Sequence, residues 1–513
     1  MSGGQVPPTR GSYSEGLGFA ALSFGVLALL GLVSSIAIAR LYGVTVLGEY
    51  ALASAPVGIL FTLSSAREQV ALVRELATLA PREPRVTGLF YAVLIFSFGL
   101  TATLALVTAA AVYLLFRGPV HQPGLVLPTA VYIAGYTVIQ NTCWNADMVF
   151  SAFGAGRELF WTRLNQAVAF IGLAILGGLE WRSIWVLVAA SILSYLTALV
   201  HKALSIRRYM RLTASRSELR GGMRTLPALI RFGLKITPGQ ITDGVSYETG
   251  TFTLAVLAPV AAVGAYGRAL QLARRFLDLQ WKVTEMLFPT LVRRRAEDDH
   301  EGFDRALVDS TRYSLVAMLF PAAVIGGAAV GVMRVFGPGF SAGSGALAVL
   351  MLMPALTTMS VLQRGSLIAV DRPWTTAVSG AVRLVITLAA TILLAGLIGA
   401  TGAGLGIVLG ASGDVLYTSA MTRRHLQRPV RELWPARQMA SIVVAYGVGF
   451  LVARATYDGL PTYPGLVLAL AASALAYAAA FVLCGGVADR DRVRLAAMWS
   501  ALRQRTGALA GSG

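Results

Sequence analysis

Charged side chains are scarce in this 513-residue chain. Asp, Glu, Lys and Arg together make up 13% of it, whereas about a quarter is usual for a soluble globular protein. Apolar residues make up 56%, and the mean hydropathy is +0.67. So little charge excludes a large soluble globular protein, and the long apolar segments that fill the chain instead predict a membrane protein.

Cysteine and histidine are also sparse. The two cysteines, Cys143 and Cys484, fall in apolar segments, where a small buried hydrophobe is the simplest interpretation. The four histidines are far apart, and no group of His, Cys, Asp and Glu has the spacing of metal ligands. We therefore expect no metal site, no redox motif and no cofactor.

Basic residues number 43 against 25 acidic ones, which gives a formal net charge of +18 and a pI near 10.4. Such a balance can indicate nucleic-acid binding. Here, however, Arg and Lys collect in alternate connections between apolar segments, which is the positive-inside pattern of membrane proteins. The partner that this pattern predicts is the lipid bilayer, and no nucleic acid is expected.

Fourteen apolar segments are long enough to cross a bilayer as α-helices. Because the even-numbered connections carry most of the Arg and Lys, both termini are expected in the cytoplasm. The outer connections are short, so we expect no soluble catalytic domain and no enzyme. The approximate segment limits are 16–39, 46–66, 86–116, 124–151, 158–179, 182–204, 232–257, 262–291, 306–336, 342–370, 374–398, 401–422, 437–457 and 462–486.

The stretch LYGVTVLGEYALA at 41–53 recurs in weakened form as LAPVAAVGAYGRA at 257–269. Each copy follows an odd-numbered helix; its Gly suits a sharp turn that opens the next helix, and its Tyr suits the membrane interface. Because six segments separate the copies, the two halves share one orientation. The matched positions are Leu41 with Leu257, Val44 with Val260, Gly48 with Gly264, Tyr50 with Tyr266 and Ala53 with Ala269.

The predicted architecture is an all-α polytopic membrane protein of about 14 transmembrane helices, with two six-helix lobes and two further C-terminal helices. A pseudo-two-fold axis along the membrane normal relates the lobes, as in transporters with a central cavity. The expected divisions are an N-lobe at 1–204 (helices 1–6), a basic cytoplasmic linker at 205–231, a C-lobe at 232–422 (helices 7–12), and helices 13–14 with a cytoplasmic tail at 423–513. The linker is either a basic surface helix on anionic lipid or a plain connection that obeys the positive-inside rule.

Two stretches carry a family resemblance. ARLYGVTVLGEYALA at 39–53, followed by SSAREQVALVRELA at 64–77, resembles the first hairpin of bacterial polysaccharide flippases, and VGAYGRALQLARRF at 263–276 resembles their cavity helix. These flippases belong to the multidrug/oligosaccharidyl-lipid/polysaccharide exporter superfamily. Tyr42, Val44 and Leu47 depart from the family's usual Leu, Pro and Phe. The motifs identify the family well and the cargo poorly.

The resemblance implies transport of a polyprenyl-diphosphate-linked oligosaccharide from the inner to the outer leaflet of the bacterial plasma (inner) membrane by alternating access. A proton or a sodium ion is the expected coupling ion, and a polysaccharide polymerase or assembly proteins are the expected protein partners. A multidrug exporter of the same superfamily is the main alternative. The other alternative is a scaffold protein without transport activity.

The eighth predicted helix carries a stripe of cations. Arg268, Gln271, Arg275 and Lys282 recur at i, i+3, i+7 and i+14, which is one face of a helix, and Arg274 lies beside them. A charge at bilayer depth costs on the order of 3 kcal/mol or more, so such residues face a cavity or a partner. Because Arg can bind phosphate oxygens through two parallel hydrogen bonds, the stripe suits a diphosphate headgroup.

Internal neutralisation of the stripe is the alternative. Arg274 can pair with Asp278 at i+4, while across the hairpin Asp243 lies level with Arg275 and Glu248 with Gln271. Such pairs would make the helix pair nearly neutral, or they would open and close as the lobes move and thereby couple headgroup binding to transport.

A few other charges fall in or near apolar segments. Arg67 and Arg364, near inner ends, are candidates for headgroup capture or for snorkelling to the surface. Arg383 and Asp414 lie at similar depth and form a candidate ion pair. The coupling or gating candidates are the carboxylates Asp147, Asp243, Glu248, Asp278 and Asp414, and each of them also has a structural interpretation.

Overall fold

The computed structural model describes residues 13–64, 68–234, 237–277, 297–370, 374–426 and 436–487, together with Arg372 and a few residues between 280 and 294. All regular structure in these ranges is helical, and they contain no strand. The predicted all-α class is therefore confirmed.

The helices are numbered α1 to α16 in chain order, and two short 3₁₀ helices lie at Pro123–Leu125 and Phe340–Gly343. The α-helices are α1 (Tyr13–Leu63), α2 (Glu68–Leu76), α3 (Pro84–Arg117), α4 (Val126–Ala152), α5 (Gly156–Glu180), α6 (Ile184–Ile206), α7 (Arg216–Leu234), α8 (Thr237–Leu257), α9 (Val260–Arg275), α10 (His300–Gly327), α11 (Ala329–Val335), α12 (Ser344–Leu350), α13 (Met353–Ala369), α14 (Trp374–Leu426), α15 (Ala436–Gly459) and α16 (Tyr463–Leu483).

Nine helical segments of the described chain are long and apolar enough to cross a membrane. Two of them are interrupted. The first is interrupted at Gly43, with φ 76°, and the segment within α14 is interrupted at Ile398 and Gly399. The interruptions coincide with two predicted connections, 39–46 and 398–401. The protein is a polytopic membrane protein, and the count of fourteen spans stays a prediction.

The chain packs into two compact units. Unit 1 comprises Met1–Arg275, Met333–Leu350 and Asp371–Thr418, and unit 2 comprises Phe276–Val332, Met351–Val370 and Ser419–Gly513. In unit 2, α10, α15 and α16 pack closely, and the Ser473 hydroxyl donates to the Gly449 carbonyl at 2.8 Å. Unit 1 holds both copies of the repeated stretch and most of the candidate site residues.

The two copies of the repeat meet at a reciprocal helix crossing in unit 1. A Cβ atom on Gly48 would clash with the Val260 carbonyl oxygen, and one on Gly264 would clash with the Val44 carbonyl oxygen. These four residues occupy matching positions of the repeat, so the contact is symmetric. The glycines allow the second half of α1 and α9 to approach backbone to backbone.

The expected turn at Gly48 is wrong, because Gly43 adopts the left-handed conformation and Gly48 lies within a helix. The tyrosines of the repeat also differ from expectation. Tyr266 is fully buried, and the Tyr50 hydroxyl contacts the hydroxyls of Tyr132 at 3.0 Å and Ser191 at 2.8 Å. Packing inside unit 1, rather than anchoring at the membrane interface, therefore explains both side chains.

Alanine at either crossing glycine is expected to destabilise the protein by about 1–3 kcal/mol, the usual effect of forcing extra atoms into a packed contact. We expect similar losses for Gly48→Ala and Gly264→Ala, since the contact is symmetric. Gly99→Ala in α3 is the matched control, because nothing lies within 4 Å of a Cβ atom there. Thermal denaturation of the purified protein measures the difference, and equal melting temperatures for all three variants would contradict the crossing.

Candidate anion-binding site on helix α9

Helix α9 is anchored on one face and polar on another. Its buried residues include Val263, Tyr266, Ala269, Leu270 and Ala273, and its first turns pack on α1 through the glycine crossing. The polar face carries Arg268, Gln271, Arg274 and Arg275, of which Gln271 and Arg275 are exposed. Arg268, Gln271 and Arg275 lie on one helix at the predicted spacing, while Lys282, the fourth residue of the predicted stripe, lies outside the described residues.

Arg268 is held by neutral oxygen atoms. Its Nη1 donates to the Ser35 hydroxyl on α1 at 2.9 Å and to the Gln271 side-chain oxygen at 2.6 Å. Both acceptors are uncharged, so they orient the guanidinium without neutralising it. The remaining N–H groups of the guanidinium stay suitable for an anion.

Arg275 lies against a small residue of α1. A Cβ atom on Gly31 would lie 3.3 Å from the Arg275 Nη2 atom. Gly31 and Ser35 are one helical turn apart, so the first half of α1 presents two small positions to the two arginines. Sequence reasoning missed both, although a Gly and a Ser at i and i+4 in an apolar helix were a visible signal.

No carboxylate of the described chain lies within ion-pair distance of Arg268 or Arg275, whereas Arg274 and Arg383 are both paired. Among the described residues, these two guanidinium groups, two turns apart on one helix, therefore have no charged partner. Two cations that no described carboxylate neutralises are costly near a membrane span unless an anion or water solvates them. This arrangement suits an anionic ligand with more than one phosphate oxygen.

The other arginine of α9 belongs to a neutralised network. Arg274 Nη1 donates to Glu248 Oε1 at 2.9 Å, and its guanidinium lies 4.7 Å from the centre of the Tyr247 ring. Arg383 lies at the same distance from the Tyr247 ring, and its Nη1 approaches Asp243 Oδ1 at 3.5 Å. The network joins α8, α9 and α14 of unit 1 by ion pairs and cation–π contacts.

The network contains two ion pairs, but their partners differ from those that the hairpin reflection predicted. The hairpin reflection matched Glu248 with Gln271 and Asp243 with Arg275, whereas the structure joins Glu248 to Arg274 and Asp243 to Arg383. Reflection through a turn gives depth along a helix but not direction around it. The reflection also compares only the two helices of one hairpin, so it could not identify a partner on α14, which is distant in sequence.

Asp414 is fully buried and accepts a hydrogen bond from the hydroxyl of Ser379. Ser379 lies one helical turn before Arg383 on α14. Arg383 is also fully buried. The similar depth expected for Arg383 and Asp414 agrees with this contact, while their direct ion pair stays a prediction. Ser379 and Tyr247 are further site residues that the sequence pattern did not indicate, since neither carries a charge.

Asp147 and Lys202 form a second buried pair in unit 1. The Lys202 Nζ atom lies 2.7 Å from Asp147 Oδ1 and donates to the Cys143 carbonyl at 3.2 Å. The exposed fractions of Asp147 and Lys202 are 5% and 2%. Sequence reasoning placed Lys202 in a basic connection, but it lies inside α6, where its partner makes burial tolerable. Arg163, half exposed, approaches Asp147 at 3.8 Å.

The remaining candidates fall outside this cluster. Arg67, Asp278 and Lys282 lie outside the described residues. Arg364 is buried in unit 2 rather than extended to the surface, and its role in headgroup capture stays a prediction.

A cavity of about 370 Å³ lies in unit 1 where α5 begins and α6 ends. Glu158 partly neutralises it, since its carboxylate lies 3.4 Å from Arg208. None of the residues that line the cavity lies on α9, so the cavity is separate from the candidate site. Its lining residues are Arg157, Glu158, Trp161, His201, Ser205 and Arg208.

One family model, described as "Polysaccharide biosynthesis protein", matches residues 37–333, which is more than half of the chain. No curated protein matches the sequence. The matched range includes both copies of the repeat, all of α8 and α9, and the Asp147–Lys202 pair.

Several solved structures share the fold at low sequence identity. The lipid II flippase MurJ, in an inward closed conformation, has a TM-score of 0.64 and 12% identity, over 90% of this chain and 98% of that chain. An inward-facing multidrug resistance MATE family transporter of the MOP superfamily has a TM-score of 0.58 and 16% identity, over 78% and 94%. The eukaryotic MATE transporter AtDTX14 has a TM-score of 0.58 and 13% identity, over 81% and 97%. The fold is therefore the one shared by these transporters.

Proposed function

The chain belongs to the polysaccharide biosynthesis protein family, and on that premise we propose that it is a flippase for a polyprenyl-diphosphate-linked oligosaccharide. Its cargo moves from the cytoplasmic to the outer leaflet of the bacterial plasma membrane, for cell-surface polysaccharide biosynthesis. The observation that carries the proposal is the pair of arginines on α9. Arg268 donates to two neutral oxygen atoms and Arg275 lies against Gly31, and no described carboxylate lies within ion-pair distance of either arginine.

A diphosphate is the part of such a cargo that a membrane protein must solvate most strongly. Each guanidinium can offer two parallel N–H donors to phosphate oxygens, and a site of low dielectric strengthens these hydrogen bonds. Arg268 and Arg275 are two turns apart on one helix, about 10 Å along its axis, and their long side chains can converge on one headgroup. Gln271 lies between them and adds an uncharged donor.

The neutralised network supplies a means of coupling. Arg274 and Arg383 hold Glu248 and Asp243 in the arrangement described here. In an alternate conformation the same carboxylates exchange partners or take up a proton or a sodium ion, so the two states differ in affinity for cargo. The two-lobe division, with both termini in the cytoplasm, belongs to this proposal, as does cooperation with a polymerase or other assembly proteins.

Export of multidrug type is the second candidate, because two MATE transporters share the fold. Cationic drugs require a site rich in carboxylates and aromatic rings. On α9 the exposed and half-buried polar residues are instead cations and one amide, and the nearby carboxylates are already paired. The charge of this face favours an anionic cargo.

Reconstitution of the purified protein into vesicles tests the proposal. A fluorescent polyprenyl-diphosphate oligosaccharide is placed in both leaflets, and a membrane-impermeant reagent that destroys the fluorophore reports the fraction that reaches the outer leaflet. We expect protein-dependent translocation of this lipid and none of a polyprenol that carries the same sugar without phosphate. Equal movement of both lipids, or movement of neither, would contradict the proposed cargo.

A further inference from the structure

Helix α7, in the basic linker, is a well-formed helix with a fixed start. The Ser215 hydroxyl accepts from the Glu218 backbone N–H at 3.2 Å, and the Glu218 carboxylate accepts from the Ser215 backbone N–H at 2.6 Å. This reciprocal pair is a capping box. Its hydrogen bonds lower the pKa of Glu218 below the usual value, so the carboxylate stays charged near neutral pH.

One face of α7 is fixed to α3 by direct backbone packing. A Cβ atom on Gly222 would clash with the Gly88 carbonyl oxygen, and one on Gly88 would clash with the Glu218 carbonyl oxygen. Leu226 and Leu229 are buried on the same face and join an apolar core with residues of α2, α3 and α4. Helix α7 of the linker is thus packed as part of unit 1.

The opposite face carries a row of exposed arginines, Arg216, Arg220, Arg224 and Arg231. At 3.6 residues per turn they fall within an arc of about 80°. None of them has a carboxylate partner in the part of the chain that the structure describes. We name this row the arginine ridge.

Large apolar side chains border the arginine ridge. Met223 and Leu234 lie at one edge, with exposed fractions of 42% and 54%. Phe232, 36% exposed, lies about 80° beyond the other edge, and the Arg74 guanidinium lies 5.7 Å from the centre of its ring. Cations flanked by exposed apolar groups are typical of helices that lie in the headgroup region of a bilayer, with arginines at the phosphates and apolar side chains among the acyl chains. Contact with water alone does not favour exposed apolar side chains beside the arginines.

The position of α7 in the chain places both its ends near the membrane. It follows α6, an apolar span that ends at Ile206, and its last residue, Leu234, is three positions before Thr237, where α8 begins. The arginine-rich connections mark this side as cytoplasmic, where the leaflet is rich in anionic lipid.

We propose that the arginine ridge of α7 binds anionic phospholipid headgroups of the cytoplasmic leaflet, and that this contact stabilises unit 1. The site is distinct from the arginines of α9. The inference rests on the proposed membrane orientation and not on the identity of the cargo.

Lipid nanodiscs containing the full-length protein test the proposal. The melting temperature is measured in phosphatidylcholine alone and in phosphatidylcholine mixed with phosphatidylglycerol. We expect phosphatidylglycerol to raise it for the unaltered protein, and the rise to be lost in the triple variant Arg220→Gln, Arg224→Gln and Arg231→Gln. Inorganic phosphate added to phosphatidylcholine nanodiscs should give no such rise. A phosphate effect as large as that of phosphatidylglycerol would overturn lipid binding.

Binding of fluorescent phosphatidylglycerol to the detergent-purified protein gives the second readout. Since each arginine near an anionic surface strengthens binding about fivefold, three lost charges should weaken it about 100-fold. The matched control removes the same charge elsewhere, through Arg117→Gln, Arg182→Gln and Arg454→Gln, and should bind normally. Replacement of the ridge arginines by Lys should retain most of the binding. Normal binding by the ridge triple variant would overturn the proposal, whatever the outcome of the translocation assay.

Discussion

Replacement of Arg268 and Arg275 together by Ala is expected to weaken binding of a polyprenyl-diphosphate oligosaccharide by about 100-fold or more. A hydrogen bond to a charged group contributes about 1.5–3 kcal/mol, and every 1.4 kcal/mol is a factor of ten. Neither guanidinium has a carboxylate partner in the described chain, so their loss leaves no described carboxylate unpaired. Binding to the purified protein measures the effect, with the phosphate-free polyprenol as the reference ligand.

Two controls separate a headgroup site from general damage. Arg454→Ala removes an exposed arginine that pairs with Asp458 at 2.7 Å and should bind both lipids as the unaltered protein does. Arg274→Ala leaves Glu248 without its partner, so it should lower the melting temperature more than it lowers selectivity for the diphosphate. If the double variant lost affinity for both lipids equally, the arginines of α9 would not be a phosphate site.

Arg268→Lys sharpens the same test. Lysine keeps the charge but cannot form two parallel hydrogen bonds to phosphate oxygens. It also cannot contact Ser35 and Gln271 in the same planar arrangement as the guanidinium. We expect this variant to bind with an affinity between those of the unaltered protein and Arg268→Ala.

The repeat illustrates how far the sequence leads to the fold. Matching Gly48 with Gly264 identified the positions that cross, but the turn itself lies at Gly43 and its counterpart Pro259. Glycine supplies a positive φ at the first turn, and proline precedes the start of α9 at the second. Because Gly43 and Pro259 are different residues, the turn does not appear among the identities that match the two copies of the repeat.

Pairing in the site was harder to predict than periodicity. The face with Arg268, Gln271 and Arg275 follows from 3.6 residues per turn alone. The contacts of Arg268 with Ser35 and of Asp243 with Arg383 join segments more than a hundred residues apart. Only tertiary packing sets these neighbours, and an uncharged Ser gives no electrostatic signal in the sequence.

Lys202→Met is expected to lower the free energy of unfolding by about 3–5 kcal/mol, since it leaves the buried Asp147 carboxylate without its closest partner. Arg163 is too distant and too exposed to replace the lysine, at 3.8 Å with about half of its side chain accessible. Denaturation of the purified protein measures the loss. Full stability of the variant would show that the pair is solvated and not buried as described.

The double variant Asp147→Val/Lys202→Met distinguishes a structural pair from a coupling site. Replacing both partners of a buried ion pair by apolar residues of similar volume is often neutral for stability, so most of the loss should be recovered. If the pair only holds α4 against α6, translocation returns with stability. If Asp147 takes up an ion during the transport cycle, the double variant is stable and still does not transport, because no carboxylate remains to change its charge. Transport and stability must therefore be measured on the same preparation, since their separation in this variant identifies the Asp147–Lys202 pair as a coupling site.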